Sequence, residues 1–409
     1  MGARNPVLAA AVTALNTAGS LYAKTGRRPI SLAPGDLIRS ARRRAGSESF
    51  GDWDFHASLE QLVESYEAQA HLSLLGRLTV RELLVSLLAN LLHLERTRLA
   101  EPSIAAAPVA ADLFIIGLPR TGTTLLHGLL SQDLDSRTPQ TWEVMYPAGD
   151  GRSNDEQLRA RCDARLRWAN RLAPQFKKIH PIAAGLPQEC IAITAQVFQS
   201  IQFHTTHNVP GYQDWLETKD QDLAYQFHER LLQHLQRDCV SARWVLKAPG
   251  HLFALPALLR RYPAARIVQT HRDPLRVMAS MASHATVLRT AFSDRVDPHA
   301  VAADWAARWG RALDRFLVAR DQADPQQFLD VRYEDIEQRP MHVVEQIYDF
   351  CGWQLSAPAR QRMDDFLAAN PKHKHGAHRY SLEAFGLNRQ QELQRFHNYC
   401  ERFAIQPAI

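Results

Sequence analysis

The pattern of apolar and polar positions changes once along the chain. Up to about residue 108 the apolar residues recur at helical spacing, most clearly Leu83, Leu84, Leu87, Leu88, Leu91 and Leu92. Thr79-Val-Arg-Glu82 precedes that run and has the form of a capping box, so a helix is expected to start there. Ala105-Ala-Ala-Pro-Val-Ala-Ala111 has the composition of a linker. From residue 112 short apolar runs alternate with helical stretches. The runs Leu113–Ile116, Trp244–Leu246, Arg266–Gln269 and Phe328–Val331 predict strands. Helices are expected over 123–132, 155–172, 188–203, 220–238, 251–262, 275–290 and 299–321. Such alternation predicts an α/β fold with a mainly parallel sheet flanked by helices, and ligands at the carboxyl ends of the strands. A two-part organisation follows: an N-terminal helical subdomain over 1–108, then an α/β domain over 109–409 whose last part, from about 336, is helical again.

One strand exit carries candidate chemistry. Leu113-Phe-Ile-Ile-Gly-Leu-Pro-Arg-Thr-Gly-Thr-Thr-Leu-Leu-His127 reads as buried strand, tight loop and helix start. Unpaired N–H groups and the positive end of the helix converge there, which makes an anion site. A nucleoside-triphosphate P-loop needs Gly-x4-Gly-Lys-Ser/Thr. Gly117 and Gly122 have that spacing, but Thr123 stands in place of the lysine, and the charge sits at Arg120 inside the loop. A second strand exit, Arg266-Ile-Val-Gln-Thr-His-Arg-Asp-Pro-Leu-Arg-Val-Met-Ala-Ser280, puts Arg272 at the strand end. Asp273 and Pro274 suit the cap and first turn of the next helix, and Ser280 lies nearly two turns into it.

Taken together, these motifs resemble the sulfotransferases that use 3′-phosphoadenosine 5′-phosphosulfate (PAPS). In that family a Pro-(Lys/Arg)-Ser/Thr-Gly-Thr loop binds the 5′-phosphosulfate, and an Arg with a Ser eight residues later binds the 3′-phosphate. Pro119-Arg120-Thr121-Gly122-Thr123-Thr124 and the Arg272/Ser280 pair match both, in the same order. Val331-Arg-Tyr-Glu-Asp335, followed by Pro340, is similar to the family segment whose tyrosine contacts the adenine, here Tyr333. The resemblance spans roughly 112–380. It is nearest to bacterial members with Pro-Arg-Thr-Gly-Thr-Thr and Thr-Trp-Glu signatures, related to the tyrosylprotein-type enzymes. It implies a P-loop-type sheet, PAPS as donor, PAP as product and no metal.

In-line sulfuryl transfer requires positioning and positive charge on the leaving phosphate. Arg120 is one candidate. Lys247, at a strand end in Trp244-Val-Leu-Lys-Ala-Pro-Gly250, has a spacing to Arg272 similar to that of the family's catalytic lysine. The acceptor also needs a general base. Many family members use a histidine two residues after that lysine, but Pro249 stands there. Glu143, in Thr138-Pro-Gln-Thr-Trp-Glu143, is the first candidate, His251 the second and Glu189 the third. The basic stretch Lys372–Tyr380 corresponds to a family segment that touches the 3′-phosphate, with Lys374, His375, Gly376 and Arg379 as contacts. Phe198, Phe203, Tyr212 and Trp215, and the Asp304–Trp309 segment, read either as core aromatics, the commoner role at such spacing, or as the lining of an acceptor pocket or lid.

Charge and composition narrow the alternatives. A net charge of +5 and a sequence pI of about 9.0 favour anionic ligands, while no Lys/Arg block is interleaved with aromatics as nucleic-acid binding requires. Arg42-Arg-Arg44 reads as a solvated helix end. Five dispersed cysteines without CxxC spacing point away from zinc and disulfides and toward a reducing cytoplasm. No apolar run approaches a membrane span, and no signal-peptide core opens the chain. The partner expected is a small-molecule acceptor, whose identity and the oligomeric state are not written in these motifs. Two rival readings remain at this point: a nucleotide kinase, and a PAP-binding protein without transfer activity.

Overall fold

The computed structural model describes residues 6–407 apart from 24, 26–27, 150, 152, 173–181, 238, 240–242 and 371–380. Its centre is a five-stranded, all-parallel sheet: β1 (Leu113–Gly117), β2 (Ser136–Arg137), β3 (Arg243–Lys247), β4 (Arg266–His271) and β5 (Phe328–Arg332), in the order β2-β3-β1-β4-β5. All four expected strands are present within a residue or two. The two-residue edge strand β2 was not foreseen, because Ser136-Arg137 carries neither apolar alternation nor length.

β1 lies between β3 and β4, with Ile115 in register with Lys247 and Gly117 with Thr270. Its Leu113–Gly117 run is buried throughout, as a central parallel strand requires. Alternate residues serve opposite faces. Leu113 and Ile115 pack with Leu126, Leu129 and Leu130 of the helix after the loop and with the C-terminal helices. Phe114 and Ile116 join a larger cluster that reaches from Leu32 to Ile405. After α1 (Pro6–Ala23), that cluster takes in Leu32 and residues of α2 (Pro34–Ala45), α3 (His56–Gln69) and α4 (Leu74–Ala100). The N-terminal helices and the sheet therefore share one apolar core.

Two expected helix boundaries differ. α4 begins five residues before Thr79, with Ser73 as its N-cap: the Ser73 hydroxyl accepts from Gly76 N at 3.0 Å. Thr79 bonds back to Gly76 O at 2.9 Å and Glu82 pairs with Arg44, so the Thr-x-x-Glu spacing marks no start here. The helix expected over 188–203 is broken into Cys190–Thr194, a 3-10 turn over Ala195–Val197 and Gln202–Thr206. Phe198 sits at the break with φ 58° and is fully buried. Phe203 and Tyr212 are likewise buried core.

Candidate active site

The carboxyl ends of β1, β3 and β4 open onto one cavity of about 680 Å³. On the β1 side the loop turns through Arg120 at φ 67° and Gly122 at φ 87° before the Thr123–Leu130 helix begins. A non-glycine residue held at positive φ costs about 1–3 kcal/mol and persists where surrounding contacts enforce it. Those contacts are visible. The Thr121 hydroxyl, fully buried, bonds Leu118 O at 2.6 Å and Thr270 Oγ1 at 2.6 Å. Arg272 donates to Arg120 O at 2.7 Å. A Cβ at Gly117 would run into the Thr270 hydroxyl. The helix closes its first bonds from Leu125 and Leu126 to Gly122 O, which leaves the N–H groups of its first turn without helical acceptors. This is a cradle for an oxyanion, and Pro119, Arg120, Gly122, Thr123 and Thr124 all line the cavity. Thr121 does not; it braces the loop from beneath.

Arg272 and Tyr333 form the flank. The Arg272 guanidinium lies 3.8 Å from the centre of the Tyr333 ring, and both line the cavity. Tyr333 opens the Tyr333–Gln338 helix after β5, and its hydroxyl donates to Glu337 at 3.3 Å. Ser280 is half-buried in the Pro274–Thr290 helix and stands outside the cavity lining. Lys374, His375, Gly376 and Arg379 lie outside the described residues.

β3 ends at Lys247, 2% exposed and itself outside the cavity lining. Its ammonium forms a short ion pair with Glu189 and reaches Thr124 Oγ1 at 3.4 Å. Glu189 is the N-cap residue of the Cys190–Thr194 helix, yet its side chain makes no capping bond. It is turned toward Lys247 and lines the cavity with 15% of its side chain exposed. The segment that carries it is tied down by the Gln140–Pro187 bridge and by Gln188 N donating to Pro139 O at 2.7 Å.

The other two base candidates are placed differently. Glu143 caps its own helix, accepting from Gln140 N at 2.8 Å, and pairs with Arg137 at 2.9 Å. Burial raises its pKa, opposed by Arg137, and it is absent from the cavity lining. Its short helix satisfies the carboxylate locally, which sequence spacing alone did not reveal. His251 is enclosed in the core beneath β1. Its Nδ1 is 2.6 Å from the Tyr225 hydroxyl, its ring packs edge-on against Phe114, and burial depresses its pKa well below the usual histidine range. It too stands outside the cavity lining. Two further parts of the lining were not foreseen: Leu83, Ser86, Leu87 and Asn90 from α4, and Gln196 from the 3-10 turn; Trp309, from the segment read as core or pocket aromatics, belongs to both core and cavity. Asn90 had a signal, a lone amide among the leucines of α4.

A parallel sheet with an anion-binding loop after its central strand, an arginine–tyrosine flank and no Walker lysine defines a P-loop-type group transferase that is not built as a nucleotide kinase. Comparison with known proteins specifies it. The sequence profile of the "Sulfotransferase family" matches residues 112–357, and the chain belongs to that family. Sulfotransferase STF1 from Mycobacterium tuberculosis H37Rv is 33% identical, with 91% of this chain and 100% of that one covered and a TM-score of 0.80. STF9 from Mycobacterium avium is 25% identical, covering 93% of this chain and 99% of that one, with a TM-score of 0.81. Omega-hydroxy-beta-dihydromenaquinone-9 sulfotransferase Stf3 of Mycobacterium bovis is 26% identical over 304 residues, 70% of this chain and 73% of the relative. The chain is a sulfotransferase, and its reaction is sulfuryl transfer.

Proposed function

We propose that this sulfotransferase takes its sulfuryl group from PAPS and that Glu189 is the general base for the acceptor hydroxyl. The observation that carries the proposal is that Glu189 and Thr124, which line the cavity together with Arg120, meet at the ammonium of the buried Lys247. The residues fit the donor. The loop from Pro119 to Thr124 supplies N–H groups and hydroxyls for the 5′-phosphosulfate, Arg272 the charge for the 3′-phosphate, and Tyr333 a ring face for the adenine. The donor contributes a sulfuryl group already bonded to a good leaving phosphate. Glu189 accepts the hydroxyl proton as the acceptor oxygen bonds to sulfur and the bond from sulfur to the phosphate oxygen breaks. The electron pair leaves on that oxygen, where Lys247 and Arg120 meet the charge. No step calls for a metal, since the cations are supplied by side chains.

With no anion in the loop, Glu189 is the counter-ion of Lys247. A pair this buried is an expensive way to gain stability, which fits a lysine held ready for a ligand charge. Calorimetric titration with PAP, beside ADP and ATP with and without magnesium, tests the donor assignment. PAP should bind without metal, and Arg272→Ala should weaken it by about 10- to 100-fold, the worth of one or two charge-assisted hydrogen bonds. Preference for ATP with magnesium would refute it.

A further inference from the structure

From the shape and bonding of the acceptor side of the cavity we infer that the acceptor is an alcohol with an extended apolar body, and that α4 helps select it. The inference rests on the base and donor assignments above. A hydroxyl presented to Glu189 leaves the rest of the acceptor against Leu83, Leu87, Ile191, Ile201, Met281 and Leu288. These side chains come from α4, from the segment around the broken 188–206 helix and from the Pro274–Thr290 helix. They give the cavity a hydrocarbon lining away from the loop's own residues.

Four of the polar side chains that line the cavity are already engaged. The Thr205 hydroxyl donates to Ile201 O at 2.9 Å and that of Thr206 to Gln202 O at 2.9 Å. The Asn90 amide donates to Met145 O and to Gln196 Oε1, both at 3.2 Å, and the Gln196 amide donates to Val144 O at 3.1 Å. A sugar placed against these four would lose water from its hydroxyls and would have to break their bonds to regain partners there. Desolvating a hydroxyl without a compensating bond costs about 1–3 kcal/mol in proteins, so a polyol is rejected several-fold for each buried group. An alkyl or polyprenyl chain meets no such penalty and gains by burial. α4 lies outside residues 112–357 that match the family profile, so the profile does not extend to this wall.

The test is transfer of radiolabelled sulfate from PAPS to a series of linear primary alcohols from butanol to dodecanol, beside glucose. PAP affinity is measured on the same preparation. The expected result is a rise in kcat/KM of about fourfold per methylene until the apolar wall is filled, with glucose at or below butanol. Leu83→Trp, which fills the α4 side, should cut transfer to dodecanol at least tenfold more than transfer to butanol while PAP affinity is retained. Leu87→Ala, which widens the same wall, gives a second test should the tryptophan variant not fold. A flat chain-length dependence, or glucose as the better acceptor, with PAP binding intact, would overturn the inference and leave the donor assignment standing. Absence of PAP binding would overturn both.

Discussion

Glu189 and Glu143 can be separated by one pair of conservative substitutions. Glu189→Gln keeps the side-chain shape and an oxygen that can accept from Lys247, but removes the basic site. A positioned general base contributes about 10²–10⁴-fold, so kcat should fall by that factor, equivalent to about 2.7–5.4 kcal/mol of barrier. Two further consequences come from the ion pair. Lys247 is 2% exposed and would lose its counter-charge, so the ligand-free variant should be destabilised, by up to the 3–5 kcal/mol seen when one partner of a buried pair is removed. PAP restores negative charge beside Lys247, so the variant should bind PAP at least as tightly as the parent and show the larger ligand-induced rise in Tm. Glu143→Gln should behave in the opposite way. It weakens the pair with Arg137 and the bond to Gln140 N, at a cost of about 1–2 kcal/mol in stability, while kcat stays within about threefold. The assay is sulfate transfer under saturating PAPS, with PAP affinity by calorimetry and unfolding by urea. A hundredfold loss of kcat in Glu143→Gln beside near-parental turnover in Glu189→Gln would refute the assignment and return the base to the Thr-Trp-Glu segment.

Three other outcomes are expected. Arg120→Ala should lower kcat by about 10²–10³-fold, the usual loss when one group stabilising transition-state charge is removed, and full activity in that variant would exclude Arg120 from the leaving-group side. Gly122→Ala places a methyl 3.0 Å from Ile336 Cδ1 on a backbone at φ 87°; the strain of about 1–3 kcal/mol should appear as lowered stability together with weakened PAP binding, and an unchanged PAP Kd would argue that the loop does not form the cradle. Acid should unfold the protein early, because burial holds His127, His207 and His228 down to about 3 and His204 to about 4. Below the unfolded pKa of about 6.5 the unfolded chain binds protons that these folded imidazoles do not, so each removes about 1.4 kcal/mol of stability per pH unit down to its folded value; a urea midpoint constant between pH 6.5 and 5 would contradict their burial as neutral rings.

The frame of the site was legible because parallel strands and phosphate loops leave local marks. Leu113–Ile116 is a continuous apolar run, and a strand buried on both faces can be little else. Gly117 and Gly122 are required by close approach to Thr270 and by positive φ, so spacing alone located the loop. The base candidates were harder to separate for a physical reason. A glutamate shortly before a helix has a default role in capping, and sequence cannot tell which of two such residues takes it. Glu143 does, with Gln140 as its reciprocal partner. Glu189 sits in the N-cap position and declines it, because Lys247 arrives from β3, 58 residues later in the chain, as a stronger partner.

The acceptor wall was hidden by the same kind of non-local pairing. The leucines of α4 announce a buried face, but periodicity does not say whether the burial is against protein or against a ligand. Leu84, Leu88, Leu91 and Leu92 are fully packed into the core, whereas Leu83 and Leu87, on an adjoining stripe, reach the cavity. That division puts part of the cavity lining on a helix whose sequence reads as scaffold. The N-terminal helices share one apolar cluster with the sheet face that positions β1 and β3. The α4 side of the cavity and the Phe114–Ile116 face of β1 are therefore mounted on one packed cluster, with the helix after the loop packed on the opposite face, so that the cavity's two sides stand in fixed relation. In-line transfer between two bound molecules demands that fixed relation.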